Sequence, residues 1–221
     1  LSTVLLPYTQ YSRENLIREN IHPSKIYVVG NPIIEVIEYY MPQIKKSNIL
    51  KKLKLKQNNY FLVTAHRSEN VDNIKSLKNI FSGLEKVHKK FGKKIIYPIH
   101  PRTASKIKNI KIPDGIELIE PLGFFDFTNL ERNSFCVFTD SGTVPEEMLY
   151  FKKPCITIRE TTERPEMIEA GSNILSGLEP DNILRATESI VSGTPNWKWN
   201  EALGDGKTSR KVVNILHGKF Y

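Results

Sequence analysis

Residues 135–151 read FCVFTDSGTVPEEMLYF. The run Phe135 to Thr139 is short, apolar and rich in aromatic and β-branched residues, as a buried strand is. Asp140-Ser141-Gly142-Thr143 breaks it, and Pro145, Glu146 and Glu147 then open an apolar segment of helical period ending at Phe151. Strand, tight turn and helix in seventeen residues is the first half of a βαβ unit. The same alternation runs in both directions. Strands are predicted at Phe61–Thr64, Lys94–Ile99, Ile116–Ile119, Phe135–Thr139, Cys155–Ile158 and Asn173–Leu175. Helices are predicted at Ile74–Lys90, Thr103–Asn109, Phe125–Asn133, Pro145–Phe151, Glu166–Ala170 and Pro180–Ser192. Six strands separated by helices require right-handed crossovers, hence an α/β fold with a parallel, doubly wound, Rossmann-like sheet.

The first sixty residues are less regular. Thr9–Asn20 reads as helix and Ile26–Val29 as a short strand. Gly30, Asn31 and Pro32 break the chain before a helix to about Tyr40, and Met41–Gln57 reads as a basic helix or linker. A last helix, Gly206–Leu216, follows a Trp-containing loop.

With 221 residues the chain is one large domain or two small ones. Apolar residues make up 39% and charged residues 25%, which fits an ordinary globular protein and excludes a disordered one. No apolar run reaches bilayer length and no signal-peptide pattern is present, so a cytoplasmic location without a membrane partner is expected. Cys136 and Cys155 sit inside apolar runs without metal-ligand spacing; they are expected to be buried thiols, with no disulfide and no metal site. The chain begins with Leu1, on a segment that reads as the end of an element, and a fragment of a longer protein is expected.

The net charge of +8 leaves nucleic acid, an anionic surface or a small anionic ligand as partner. The lysines between Lys45 and Lys56, Lys75 and Lys94, and Lys106 and Lys111 alternate with apolar residues at helical spacing. They read as solvated helix faces, which argues against a nucleic-acid partner.

In a doubly wound sheet ligands bind beyond the carboxyl ends of the strands, and the unusual residues fall there. Ala65-His66-Arg67, His100-Pro101-Arg102, Pro121-Leu122-Gly123-Phe124, Asp140-Ser141-Gly142-Thr143 and the loop from Arg159 to Pro165 each follow a strand. Gly142 permits close backbone approach, and free N–H groups around Ser141 to Thr143 at a helix start would cradle a phosphate. The competing account is helix capping: Thr143 with Glu146 has the spacing of a capping box. Capping leaves Glu147 unexplained, and a carboxylate there can accept from both ribose hydroxyls. His66 with Arg67 can meet phosphates or move a proton, or be structural. His100 is equally ambiguous, and Arg159 to Arg164 is either a salt-bridged loop or an anion contact through Arg164. The stretch around Phe124, Phe125 and Phe127 is core or, at the ligand edge, a seat for a base against Leu122 and Phe127. His22, His88 and His217 carry no signal.

The series TAHRSEN, HPRT, PLGFFDF, TDSGTVPEE, RETTERPE and GDGK, beginning at Thr64, His100, Pro121, Thr139, Arg159 and Gly204, resembles the non-hydrolysing UDP-N-acetylglucosamine 2-epimerase family. The resemblance runs from Thr9 to Leu216. It implies the C-terminal half of a two-domain, glycosyltransferase-B-like architecture: residues 1–40 as the tail of the N-terminal domain and crossover, 41–200 as the UDP-binding domain, and 201–221 as a helix returning toward the N-terminal domain. It implies an isomerase that eliminates UDP from UDP-N-acetylglucosamine and re-adds it to the other face, giving the manno sugar for surface polysaccharide. This chain would be the UDP-holding half, inactive alone, part of a homodimer when full length, and with no cofactor. Uracil would lie near Leu122 and Phe127, ribose on Glu147, and diphosphate on Ser141, Gly142 and Thr143. His66 and Arg164 would be catalytic at the phosphates, and His100 with Arg67 would mark a possible second site. The family often has Gly where this chain has Thr143. Alternatives are a sibling epimerase of diacetamido-glucuronate or deoxy-acetamido hexose, a glycosyltransferase of the same architecture, or a basic nucleic-acid-binding protein.

Overall fold

Six strands form one wholly parallel sheet: β1 Tyr60–Thr64, β2 Lys94–Pro98, β3 Ile116–Ile119, β4 Cys136–Thr139, β5 Cys155–Thr157 and β6 Asn173–Leu175. Their order is β3-β2-β1-β4-β5-β6. The chain thus winds outward from β1 in one direction, then returns to β1 and winds outward in the other, as the alternation of elements required. The structure is a computed structural model that describes residues 2–107, 110–193, 197 and 203–220. It contains two compact units, one of residues 43–197, which holds the sheet, and one of residues 1–42 with 198–221.

The larger unit is a three-layer sandwich, and the period-two alternation of β1 shows why. Phe61, Val63 and Ala65 face one side, where they meet α5 (Ile74–Phe91) and α10 (Pro180–Ser192). Tyr60 and Leu62 face the other, against α3 (Ile49–Lys52), α7 (Phe124–Asn133) and α8 (Val144–Phe151). From Tyr60 to Val63 the strand is fully buried, as parallel strands covered on both faces are. Short helices complete the unit: α4 (Ser68–Val71), α6 (Pro101–Lys106) and α9 (Pro165–Glu169).

Helix α5 buries Leu77, Ile80, Phe81, Leu84 and Val87 and turns its lysines outward. It starts where Asn73 Oδ1 accepts from the N–H groups of Lys75 and Ser76, and stops at Gly92, whose φ of 64° an L-residue adopts only at a cost. Cys136 and Cys155 are free, buried thiols, and burial raises the pKa of both. No helix among the described residues is long and apolar enough to cross a membrane.

In the smaller unit α1 (Gln10–Arg18) is capped by Thr9, and α2 (Ile33–Lys46) carries Pro42 near the unit boundary. The strand predicted at Ile26–Val29 is only a single parallel bridge between Leu5 and Ile26. Pro7 explains this: Tyr27 donates to Leu5 O and Val29 to Pro7 O, but the intervening bond needs an N–H that Pro7 lacks. The 3-10 turn Pro23–Lys25 and α4 are too short for the hydrophobic pattern to show. Helix α2 runs past Tyr40, so Met41–Gln57 is its last turns plus α3. Helix α6 begins two residues early, with Pro101 at its first position; its predicted end, Asn109, lies outside the described residues, as do 198–202, where the expected domain boundary falls. Asn31 N–H donates to Leu203 O, and Glu35 accepts from Ser209 N–H at the start of α11 (Thr208–Phe220).

Gly204 has φ 95°, and a Cβ there would lie 2.7 Å from Gly30 Cα. Gly92 also has positive φ, yet a Cβ there meets nothing within 4 Å. Gly92→Ala should therefore cost only the left-handed backbone strain, about 1–2 kcal/mol. Gly204→Ala adds a backbone clash that no rotamer can relieve. We expect a clearly larger drop in melting temperature for Gly204→Ala, read by thermal denaturation of both variants.

Candidate functional site

The strand order reverses between the parallel strands β1 and β4, and the loops leaving them are tied by one side chain. Asp140, fully buried at the end of β4, accepts through Oδ2 from the backbone N–H groups of His66 (2.9 Å) and Arg67 (2.8 Å) and from Asn70 Nδ2 (3.1 Å). The same Asn70 amide donates to Ile158 O at 3.1 Å, and the buried Tyr97 hydroxyl donates to Ala65 O at 2.5 Å. One carboxylate thus fixes the first loop against the fourth strand, and Asn70 extends the bracing to the loop after β5. His66 Nδ1 lies 3.8 Å from Asp140 Oδ1, with its ring half exposed. The His66 and His100 ring centroids are 6.2 Å apart.

In the Asp140–Thr143 turn the capping-box account does not hold. Thr143 makes no side-chain cap bond to α8; its hydroxyl is 3.2 Å from Ser141 Oγ instead. Not every N–H predicted to be free is free. Ser141 N–H donates to Thr139 Oγ1 at 2.9 Å, and Thr143 N–H to Ser141 Oγ at 3.3 Å. Among the described residues the Gly142 N–H has no hydrogen-bond partner. Gly142 does not have positive φ, and a Cβ there would meet only Arg67 Nη2 at 3.9 Å and Glu163 Oε2 at 4.0 Å. Neither backbone strain nor crowding in this chain requires glycine at 142.

Below the turn lie three buried acids. Glu146 is turned away from its own helix start, its Oε1 2.8 Å from Arg164 Nε. Burial, with Glu166 and Glu147 nearby, outweighs that arginine and raises its pKa to about 7. Glu147 is 7% exposed and its pKa is also raised by burial. Glu131 on α7 is wholly buried beside it. Arg164 also donates from Nη1 to Glu163 O at 3.1 Å.

The two arginines of the loop after β5 have different fates. Arg159, 6% exposed, is consumed by ion pairs: Nη1 and Nη2 donate to Glu163 at 2.7 and 3.0 Å, and Nε to Glu69 at 3.0 Å. Arg67 joins the same network through Nη1, 3.4 Å from Glu163 Oε1. These cations hold the Glu163 carboxyl down to about 2. The salt-bridged reading of the loop therefore describes Arg159, and Arg164 stands on the separate Glu146 contact.

Leu122 and Phe127 are half-buried against the core face of α7 and α8. The structure brings Ser141, Gly142 and Thr143 together in the turn before α8, which carries Glu147, places Arg67 and Glu163 nearest to Gly142, and sets Arg164 against Glu146. The side chain of Arg102 lies outside the described residues. The sequence does not mark Asp140, Asn70 or Glu131 as site residues. Asp140 is visible in the sequence only as an acid directly after a buried strand. Asn70 sits in a polar stretch, and Glu131 looks like one more charge on a helix. No group of three or more metal-ligating side chains occurs among the described residues.

A family model described as UDP-N-acetylglucosamine 2-epimerase matches residues 1–217. The UDP-N-acetylglucosamine 2-epimerase of Methanocaldococcus jannaschii is 38% identical over 100% of this chain and 62% of its own length. That of Methanococcus maripaludis is 37% identical over 99% of this chain and 62% of its own. The crystal structure of the Methanocaldococcus jannaschii enzyme in complex with UDP-GlcNAc and UDP superposes with a TM-score of 0.90 at 38% identity, covering 98% of this chain and 61% of that one. The chain spans about three-fifths of the relatives it matches.

Two outcomes follow from this geometry. Asp140→Ala leaves two backbone N–H groups and an amide without their acceptor, and should cost about 2–4 kcal/mol in urea unfolding, with faster hydrogen exchange at His66 and Arg67. Asp140→Asn, which keeps an acceptor oxygen, should lose less. The folded-state pKa of Glu163 is depressed, so its stabilisation is present above the ordinary value of 4.5 and is lost as pH falls toward 2. Glu163→Gln should therefore lower the melting temperature at neutral pH, and the gap to wild type should close in that acidic window.

Proposed function

The chain belongs to the UDP-N-acetylglucosamine 2-epimerase family, and on that premise we propose that it is the C-terminal, UDP-holding half of such an epimerase. The enzyme converts UDP-N-acetylglucosamine to UDP-N-acetylmannosamine in the cytoplasm, as a homodimer of two-domain, glycosyltransferase-B-like protomers. Residues 41–200 are the UDP-binding domain; residues 1–40 and 201–221 go with the N-terminal domain. The clustering of 1–42 with 198–221 into one unit supports that division. The single observation that carries the reading is the braced turn Asp140–Thr143 at the reversal point of the sheet, with its bare Gly142 and with Glu147 and Arg164 at its base.

The reaction asks this half for three things: grip on the nucleoside, grip on the diphosphate, and stabilisation of charge as UDP departs. Glu147 takes the ribose hydroxyls, and Leu122 and Phe127 flank the uracil. Ser141, Gly142 and Thr143 receive the diphosphate at the N-terminus of α8, where the helix dipole favours an anion. As the bond from C1 to the β-phosphate oxygen breaks, negative charge grows on that phosphate. Arg164, held at Nε by Glu146, and His66, beside Asp140, stabilise it more in the transition state than in the ground state. UDP then stays in place until the glycal presents its other face. The acid–base groups that handle the C2 proton belong to the N-terminal domain, so this chain alone should hold UDP without turning it over.

Isothermal titration of this chain with UDP tests the reading: saturable binding is expected, weakened about tenfold or more by Glu147→Gln, with melting temperature little changed. Binding of UDP unaltered by Glu147→Gln removes the ribose assignment. In the full-length enzyme Arg164→Ala and His66→Ala should each lower kcat about 10²-fold with a smaller rise in KM. A rise in KM alone would assign both residues to uniform substrate binding.

A further inference from the structure

Glu131 stands out among the buried acids because the machinery described above does not use it. It lies on α7 fully excluded from solvent, and neither carboxylate oxygen has a hydrogen-bond donor among the described residues. An isolated anion in such a place is strongly disfavoured. Helices α7 and α8 cover the same face of the sheet, and there the buried Glu131 side chain adjoins that of the buried Glu147. Two ionised carboxylates are both acceptors, so this contact is a bond only when one of them carries a proton.

Among the described residues no group donates to Glu131. Tyr60 of β1 faces Glu131, but its hydroxyl donates to Leu130 O at 2.6 Å. Cys155 of β5 lies near both acids and near Cys136 of β4, with its thiol engaged by the Ile156 backbone; the Cys136 thiol is directed to its neighbour's carbonyl, Val137 O, at 3.8 Å. Glu146 of α8 is engaged with Arg164. No lysine or arginine among the described residues forms an ion pair with Glu131 or Glu147.

We propose that Glu131 is a positioning residue: it holds a proton shared with Glu147 and donates it to that carboxylate, which keeps Glu147 an acceptor oriented toward the nucleoside hydroxyls. The proposal rests on the reading of Glu147 as the ribose contact. A single buried carboxylate at 147 would itself tend to take up a proton and lose acceptor strength. Paired with a protonated Glu131 it keeps one negative charge, and its second oxygen remains open to a ligand. The arrangement makes grip depend on proton count. With both acids protonated the charged acceptor is gone, and with neither protonated two buried anions repel, so affinity for a uridine diphosphate falls at both pH extremes. Stability follows the same chemistry. Burial raises both proton affinities, so the folded chain binds more protons than the unfolded one above the ordinary carboxylate range, and stability declines as pH rises through the raised values.

The test is UDP affinity of the full chain across about pH 5 to 9, for wild type, Glu131→Gln and Glu131→Met. Methionine fills the space without a donor and should weaken UDP binding about tenfold at neutral pH. Glutamine, whose amide donates to Glu147 without titrating, should rescue affinity and abolish the alkaline loss. The infrared difference between unliganded wild type and Glu131→Gln at neutral pH should show a protonated-carboxyl stretch beyond the one Glu146 supplies to both. Equal weakening by Gln and Met, an alkaline loss that persists in Glu131→Gln, or absence of that difference band would each overturn the proposal. Should Glu131→Met fail to fold, the alkaline limb in Glu131→Gln and the difference band still decide. Glu147→Gln, run alongside, separates the two readings: unchanged UDP affinity there defeats the ribose assignment whatever Glu131 does, and the positioning proposal with it.

Discussion

The carboxylate of Asp140 is the constraint on which the site depends. Parallel strands β1 and β4 end side by side at the reversal of the sheet, and their outgoing loops diverge to opposite layers. Left to themselves, two such loops would present unpaired N–H groups to a buried crevice, which is costly. Asp140 collects two of those N–H groups and the Asn70 amide on one oxygen. Because Asn70 also reaches Ile158 O, three successive ligand-edge loops are coupled through two side chains. The accessible faces of His66 and of the Ser141–Thr143 turn are thereby set by the protein before any ligand arrives.

The same logic governs the charges. The excess of lysine lies on helix faces such as that of α5, while at the sheet edge acids are at least as prominent as bases. Glu146 anchors Arg164, Glu163 gathers Arg159 and Arg67, and Glu131 meets Glu147. An arginine anchored at one side of its guanidinium loses less side-chain freedom when an anion arrives at the other. The cost falls on stability: Glu146 is buried deeply enough to titrate near neutral pH despite its partner. A chain selected for stability alone would fill these places with apolar side chains.

The strand–helix alternation from Tyr60 to Ser192 was legible because hydrophobic period and helix punctuation agree along that stretch, as at Asn73 and Gly92 around α5. Where one atom decides, the pattern was silent. Ile26–Val29 has strand composition, yet the missing N–H of Pro7 limits it to one bridge. Thr143 and Glu146 have capping-box spacing, yet Thr143 pairs with Ser141 inside its own turn and Glu146 with Arg164 of the loop after β5. Spacing reports what a side chain can reach along its own helix and nothing of competitors brought in by the sheet. Glu131 shows the same limit: whether a helix acid faces water or another acid depends on the neighbouring helix.

Two glycines show how such anomalies separate. Gly204 needs its missing side chain on two counts, a φ of 95° and the Gly30 backbone 2.7 Å from where a Cβ would sit, so the fold accounts for it fully. Gly142 meets neither demand: its φ is not positive, and a Cβ would find ordinary contacts at 3.9 and 4.0 Å. A glycine that relieves neither strain nor crowding leaves room for something outside the chain to come close. The Glu131 and Glu147 pair is anomalous in the same sense, since acids buried against each other satisfy no requirement of the sheet. Both anomalies lie at the end of β4 or against the helix that follows it, where Asp140 has already fixed the loops. Departures from local rules that the fold does not itself require therefore converge on one place, and that convergence marks the site more sharply than any single motif does.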